Sequence, residues 1–234
     1  MLEFFSSGVV VPSTLGTIRN FAWVVPGKLA RGEQPQLEPT IFAALRQAGV
    51  TTVLSLRPDR EPPSANASRP WPEYYAEQEQ ALAEQAGMRF EQFPLEDFSA
   101  PPPERIAGAL SLLDSLANAG QAVYVHCRAG AGRTGLVSGA WEVTRGRSGD
   151  AAADSYARFM LHIADALGYS DEQRAAYVRR VGQPYTWWAL REIVAALGSP
   201  VTRQQPRLLP PEKPPQADHW EEGYRRLLQP WRTA

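Results

Sequence analysis

The sequence is poor in cysteine, lysine and histidine, and it has no long hydrophobic run. Its 234 residues include a single cysteine, Cys127, which cannot form an internal disulfide and therefore fits a reducing compartment. No stretch approaches the roughly 18 uncharged apolar residues that a membrane-spanning helix needs. The first ten residues carry an acid where a secretory signal carries bases. We therefore expect a cytoplasmic protein without a membrane span.

Neither sign of charge dominates the chain. The 24 basic residues, of which only Lys28 and Lys213 are lysine, face 25 acidic residues, which gives a formal net charge of -1 at pH 7. Such a balance provides no polybasic surface for nucleic acid or an anionic membrane. The three histidines have no metal-ligand spacing relative to Cys127 or to carboxylates, so we predict neither a metal nor another cofactor. Any partner must be recognised by a local site.

The sequence does contain an alternation of strand and helix patterns. The apolar, β-branched runs at residues 50–56 and 121–127 are typical of buried strands, and segments with helical apolar spacing lie between such runs. Beyond Arg133 the pattern is almost wholly helical. This order predicts an α/β fold with a central, mostly parallel sheet of four to five strands flanked by helices, and a helical C-terminal portion.

The composition changes near the end of the chain. Residues 199–218 hold six prolines, which favours an extended arm over a packed element. After the arm, Trp220, Tyr224 and Leu227 share one helical face. This last helix is expected to dock on the body of the protein, and the alternative is that the helix or the arm binds a partner. The predicted organisation is a main domain at 1–198, a proline-rich arm at 199–218 and an amphipathic helix at 219–234.

A loop rich in small residues follows one predicted strand and precedes a predicted helix that begins near Arg133. Ligands of open α/β sheets bind at the carboxyl ends of strands, where main-chain N–H groups and a helix N-terminus face an anion. Gly130 and Gly132 allow the loop to turn its N–H groups inward, and Ala129 and Ala131 leave room for a tetrahedral anion. The loop is therefore predicted to bind phosphate.

Several side chains of this loop can carry chemistry. Arg133 can grip two phosphate oxygens with its planar guanidinium. Cys127 lies where the loop N–H groups, the helix dipole and Arg133 favour the thiolate, which is a nucleophile. His126 can hold loop carbonyls, and Thr134 can donate its hydroxyl to the sulfur. The alternative is a buried, unreactive cysteine beside an incidental arginine.

His126, Cys127, Arg133 and Thr134 match the signature HC-x5-R-[ST], and on this basis the chain resembles the protein tyrosine phosphatase superfamily. The segments PGKLARGEQPQ and TTVLSLRPDRE are similar to the entry segment and first buried strand of its atypical dual-specificity branch, and the resemblance covers residues 20–145. It implies that the main domain is a dual-specificity-phosphatase-like catalytic domain. It also implies a metal-independent reaction through a phosphocysteine intermediate.

The same resemblance implies a general acid about thirty residues before the nucleophile, because expelling an unprotonated alkoxide or phenoxide is slow. Asp97 occupies that place, on a loop that the prolines at 101–103 stiffen. We expect Asp97 to protonate the leaving oxygen and then to activate water. The adjacent Glu96 is the rival for this role.

Arg128, the first residue inside the loop, adds a second cation at its rim. Tyrosine-specific members of the superfamily have a small residue there, whereas its phosphoinositide phosphatases have a lysine, with another lysine where this chain has Ala131. We predict a hydrolase that acts on phosphotyrosine, phosphoserine or phosphothreonine in proteins. The alternatives are a phosphoinositide or inositol polyphosphate phosphatase, and a phospho-binding module without catalysis.

Overall fold

The strands of the protein form one large and one small sheet. The computed structural model describes residues 12–61, 73–166, 168–173, 184–202 and 219–232. Within them the strands are β1 (Ser13–Leu15), β2 (Ile18–Val25), β3 (Leu29–Gly32), β4 (Thr52–Ser55), β5 (Arg60–Glu61), β6 (Tyr74–Tyr75), β7 (Arg89–Gln92) and β8 (Val123–His126). The large sheet has six strands in the order β1-β2-β3-β8-β4-β7, and β5 pairs with β6. Strands β3, β8, β4 and β7 run parallel to one another. Strand β2 pairs antiparallel with β3 on one side and with β1 on the other. The predicted α/β fold with a mostly parallel sheet is confirmed, but the sheet has six strands where four to five were expected, because β1 adds an edge strand by pairing with β2.

Helices cover both faces of this sheet. The main helices are α1 (Pro39–Gln47), α2 (Ala76–Gln85), α3 (Pro103–Asn118), α4 (Gly132–Thr144), α5 (Gly149–Ala166), α6 (Pro184–Ala196) and α7 (Trp220–Leu227). Alternate residues of β8 show the two-sided packing, because Val123 and Val125 belong to the core beneath α3 to α6, and Tyr124 belongs to the core beneath α1 and α2. In the described part of the chain, no helix is long and apolar enough to cross a membrane.

The last helix packs on the body of the protein. Tyr224 of α7 is fully buried, and its hydroxyl donates to the carbonyl oxygen of Pro101, just before α3. Trp231 donates its indole N–H to Asp114 of α3 at 2.7 Å. The predicted docking of this helix is therefore confirmed. The domain boundaries stay predictions, because residues 203–218 of the arm lie outside the described residues.

The parallel strands bring four loops to one edge of the sheet. Gly32 of β3, Ser55 of β4 and Gln92 of β7 are in register with His126 of β8, directly or through β4. Because these residues end their strands, the loops that follow them meet at the carboxyl edge, where open α/β sheets bind ligands. One of these loops is the predicted phosphate loop.

Candidate active site

The loop between β8 and α4 is held from behind through its carbonyl groups. The ring Nδ1 of His126 lies 3.1 Å from the carbonyl oxygen of Cys127. The next three carbonyl oxygens are also bound: Arg128 O by Gln34 N at 3.0 Å, Ala129 O by Asn20 Nδ2 at 3.1 Å, and Gly130 O by Arg31 Nη2 at 2.7 Å. Four consecutive carbonyl groups of the loop are thus anchored to the body of the protein.

These anchors determine where the N–H groups of the loop point. In a trans peptide the N–H group points away from the preceding carbonyl, so the N–H groups of residues 128–131 face the side opposite to the anchors. Among the described residues, the N–H groups of Ala129, Gly130 and Ala131 have no acceptor. Gly132 begins α4, whose N-terminus adds partial positive charge. The loop is therefore a cradle of N–H donors that can bind an anion with the geometry of phosphate.

Cys127 is the first residue of this cradle and is buried, with 3% of its surface exposed. Thr134, in the first turn of α4, is fully buried, and its hydroxyl has no hydrogen-bond partner in the described part of the chain. The role predicted for this hydroxyl, a hydrogen bond to the sulfur, stays a prediction. The described residues contain no group of three or more His, Cys, Asp or Glu that could hold a metal ion.

Arg133 and Asp97 are in contact. Arg133 Nη2 lies 3.1 Å from Asp97 Oδ2, and Arg133 Nη1 donates to the carbonyl oxygen of Leu95 at 3.3 Å. Burial lowers the pKa of Arg133, but the negative charges of Cys127, Asp97 and Glu61 outweigh this effect and raise the pKa overall. Of the two candidate acids, only Asp97 pairs with Arg133 among the described residues, and Glu96 is exposed.

Glu61 connects three arginines at this site. Its Oε1 lies 3.0 Å from Arg133 Nη1, and its Oε2 lies 2.5 Å from Arg57 Nε and 3.2 Å from Arg128 Nη2. Burial raises the pKa of Glu61, but the three guanidiniums outweigh it, so the pKa lies below its usual range. Glu61 is therefore ionised at neutral pH.

A second buried network lies behind the nucleophile. His126 Nε2 is 2.8 Å from Glu79 Oε1, and both side chains are fully buried. The hydroxyl of Tyr74 donates to Glu79 Oε2 at 2.7 Å and lies 2.9 Å from Ser55 Oγ. The guanidinium of Arg57 lies over the Tyr74 ring, 4.1 Å from its centroid. Tyr74 thus joins the network of His126 to the arginines around Glu61.

The structure brings together all the site residues that the sequence singles out. Most lie on the loop between β8 and α4, and the separate segment of Asp97 meets this loop at Arg133. The sequence singles out neither the anchoring residue Asn20 nor the carboxylates Glu61 and Glu79, and it leaves open whether Arg31 lines the mouth of the site or braces the fold. Of these, Arg31 and Glu61 lie inside the two segments that carry the family resemblance, which was the available signal. No local pattern marks Asn20 or Glu79, which reach the site only through the fold.

Solved structures share this fold. The chain is similar to TpbA of P. aeruginosa, with 22% identity, a TM-score of 0.50, and coverage of 74% of this chain and 99% of that one. It is also similar to a Cys-to-Ser variant of TpbA in complex with pTyr, with 20% identity, a TM-score of 0.51, and coverage of 80% and 98%. A third similar structure is the core catalytic domain of the PP-IP phosphatase SIW14 from S. cerevisiae in complex with citrate, with 21% identity, a TM-score of 0.47, and coverage of 77% and 97%.

These likenesses concern only the fold. A comparison with protein families identifies the class of protein more specifically. The model of the family described as Swiss Army Knife protein, DSP-PTPase phosphatase domain (PTP-SAK) matches residues 18–181. The match spans strands β2 to β8, the cradle and the loop of Asp97. The chain belongs to this family and carries a phosphatase domain of the DSP-PTPase type.

Proposed function

We propose that this protein is a cysteine-dependent phosphatase that hydrolyses phosphate monoesters, with phosphotyrosine, phosphoserine or phosphothreonine in proteins as its substrates. The observation that carries the proposal is the cradle at residues 127–131, whose four anchored carbonyl groups turn consecutive N–H groups toward an anion. The proposed location is the cytoplasm, where a reducing environment protects the thiolate. TpbA, whose fold the chain shares, has been solved with phosphotyrosine.

In the first proposed step, the Cys127 thiolate attacks the phosphorus atom of the bound monoester. A sulfur–phosphorus bond forms as the bond from phosphorus to the leaving oxygen breaks. The protonated carboxyl of Asp97 gives its proton to that oxygen, so the product leaves as an alcohol or a phenol. The loop N–H groups and Arg133 stabilise the charge that spreads over the equatorial oxygens. The product of this step is a phosphocysteine.

In the second proposed step, water hydrolyses the phosphocysteine. The Asp97 carboxylate takes a proton from the water as its oxygen bonds to phosphorus, and the sulfur–phosphorus bond breaks. Cys127 leaves as the thiolate, to which the buried hydroxyl of Thr134 can donate a hydrogen bond. Inorganic phosphate is released, and Asp97 is protonated again for the next cycle.

Hydrolysis of p-nitrophenyl phosphate at mildly acidic pH tests this proposal. We expect turnover by the unmodified protein, no turnover by Cys127→Ser with retained binding of inorganic phosphate, and a mass-spectrometric phosphoryl adduct on Cys127 after acid quench. Asp97→Asn should lower kcat by about 10²–10⁴, as loss of a general acid does. Glu96→Gln is the matched control at the neighbouring residue. If Glu96→Gln lowers kcat and Asp97→Asn does not, the general acid is Glu96. Absence of turnover by the folded protein would favour a phospho-binding module instead.

A second candidate substrate class is a phosphoinositide or an inositol polyphosphate. Arg57 and Arg128 lie next to Arg133 through their shared contact with Glu61, and they supply cations beyond those needed by one phosphate. A panel of phosphopeptides and inositol phosphates separates the two classes by kcat/KM. Preference for inositol phosphates would replace the proposed protein substrates.

A partner for the proline-rich arm stays a proposal from composition alone.

A further inference from the structure

Helix α7 reaches the loop that carries Asp97. This loop, residues 95–102, leads directly into α3. The hydroxyl of Tyr224 in α7 donates to the carbonyl oxygen of Pro101 near the end of the loop, across 123 residues of chain. Helix α7 lies beyond residue 181, where the family match ends. The reaction steps above do not involve this helix, although it touches the segment that supplies the acid.

The backbone of α7 packs directly on the first residue of α3. A Cβ atom at Gly223 would lie 2.7 Å from Cγ and 3.2 Å from Cβ of Pro103. Glycine weakens a helix relative to alanine, and this close approach gives a physical reason for a glycine inside α7. Pro103 is itself buried beneath the contact. Gly223 therefore determines how closely α7 packs on the point where the Asp97 loop ends.

Other contacts hold α7 in place independently of this loop. Trp188 of α6 packs against the rings of Trp220 and Tyr224, with 6.4 Å between the ring centroids in both pairs. Just after α7, the indole N–H of Trp231 donates to Asp114 Oδ2 at 2.7 Å, which ties this end of the chain to the middle of α3. Because α7 is fixed by α6 and α3, it can serve as a support for the loop.

The Asp97 loop is held at both ends, so that a shift of one end reaches Asp97. At the first end, the N–H and carbonyl groups of Leu95 both form hydrogen bonds with the body of the protein. At the other end, the prolines at 101–103 have fixed φ angles and move together as a stiff unit. Residues 96–99 connect the two ends. The 3.1 Å contact between Asp97 Oδ2 and Arg133 Nη2 therefore depends on where α7 holds the prolines.

We propose that Gly223 is a positioning residue of the phosphatase reaction, because its close contact with Pro103 allows α7 to hold Asp97 at the site. This inference rests on the proposed function. The packing of the helix backbone carries the effect, and the hydrogen bond of Tyr224 lies beside it. Displacement of α7 moves the Asp97 carboxyl away from the leaving oxygen but leaves the cradle at residues 127–131 on its own anchors. Proton transfer should therefore weaken while anion binding is kept.

Substrates that differ in their leaving group test this proposal. Gly223→Ala displaces α7 by the collision with Pro103, Glu222→Ala is the matched control at the exposed neighbouring position, and Asp97→Asn shows the loss of the acid itself. The value of kcat/KM reports the first reaction step, in which phenyl phosphate needs protonation more than p-nitrophenyl phosphate does, because phenolate is the poorer leaving group.

The measured quantity is the kcat/KM of phenyl phosphate divided by that of p-nitrophenyl phosphate. We expect Gly223→Ala to lower this ratio about tenfold, in the same direction as Asp97→Asn and within the effect of about 10²–10⁴ that a general acid supplies. The Ki of inorganic phosphate should stay at the wild-type value, because the cradle keeps its anchors. Glu222→Ala should keep both the ratio and the Ki.

Two results with Gly223→Ala overturn the proposal: the same ratio as Glu222→Ala, or an equal loss of kcat/KM with both substrates. If Gly223→Ala does not fold, Arg225→Pro breaks α7 from its exposed face, with Arg225→Ala as its control, and an unchanged ratio overturns the proposal. If the unmodified protein shows no turnover, the proposed function fails separately. Hydrogen exchange at residues 95–106 then tests the support by α7 in whichever variant folds. Faster exchange than in the matched control is expected, and equal exchange overturns the proposal.

Discussion

Substitution of Gly130 by alanine tests whether the shape of the cradle controls activity. Gly130 has a φ of 69°, in the left-handed region, and its carbonyl is bound by Arg31. A Cβ atom at this position would lie 2.2 Å from both the carbonyl carbon and the carbonyl oxygen of Gly32. The substitution therefore combines an unfavourable backbone conformation with a backbone collision. The two effects must be measured separately.

Gly27→Ala is the matched control for the conformational effect. Gly27 has a φ of 67°, and a Cβ atom there would have no neighbour within 4 Å. Alanine in the left-handed region costs about 1–2 kcal/mol, and both variants should lose this much stability. At Gly130 the collision adds a displacement, because carbon atoms pack at about 3.5–4.0 Å and the gap must open by more than about 1 Å. A misplacement of about 1 Å at a catalytic site can lower the rate about 10²-fold.

Urea unfolding and hydrolysis of p-nitrophenyl phosphate measure these two effects. Gly27→Ala should lower the free energy of unfolding and keep kcat/KM, whereas Gly130→Ala should lower kcat/KM about 10²-fold or more even where it is fully folded. Equal kcat/KM values for the two alanine variants would refute the view that the loop N–H groups must keep their positions.

Further substitutions test the networks around the site. Glu79→Gln should destabilise the protein by about 1 kcal/mol in urea unfolding, because it replaces the buried carboxyl group that accepts a hydrogen bond from the Tyr74 hydroxyl by an amide. Tyr224→Phe should cost about 1 kcal/mol and leave kcat unchanged, because it removes only the hydrogen bond to Pro101. Burial opposes ionisation of Glu61, but the neighbouring arginines hold the pKa of this carboxyl below 4.5. The ionised carboxylate therefore stabilises the protein fully above pH 4.5, and this stabilisation is lost as the pH falls through the lower pKa of the folded state. The difference in unfolding free energy between wild type and Glu61→Gln should shrink over that interval, and a constant difference would contradict this.

The cradle could be predicted from the sequence because its parts are local. Cys127 and Arg133 are six residues apart on one loop, and the small residues between them constrain the backbone to few conformations. The alternation of strands and helices was equally readable, since β4 and β8 are short runs rich in β-branched residues and every residue in them is buried. Asp97 required the spacing known from the family, because nothing in its own segment distinguishes it from Glu96.

The support of the cradle could not be predicted, because it comes from distant parts of the chain. Asn20 and Ala129 are 109 residues apart, and Arg31 and Gly130 are 99 residues apart. Glu61 reaches Arg133 across 72 residues. The contacts of Asn20 and Arg31 depend on the register of β2 and β3, which carry them. A one-residue slip of either strand would turn its anchoring side chain to the other face of the sheet.

The anchors also explain how the loop can be ready for an anion before one binds. Arg31 is fully buried, and burial lowers its pKa to about 10 although the charges of Glu142 and Cys127 oppose this. Its positive charge is stabilised by the carbonyl oxygen of Gly130, and the same contact prevents that peptide from turning over. Asn20 holds the preceding peptide in the same way, by donating a hydrogen bond to the carbonyl oxygen of Ala129. The dipoles of the loop are therefore oriented by the fold, so that little reorganisation is needed when negative charge develops on a bound phosphoryl group.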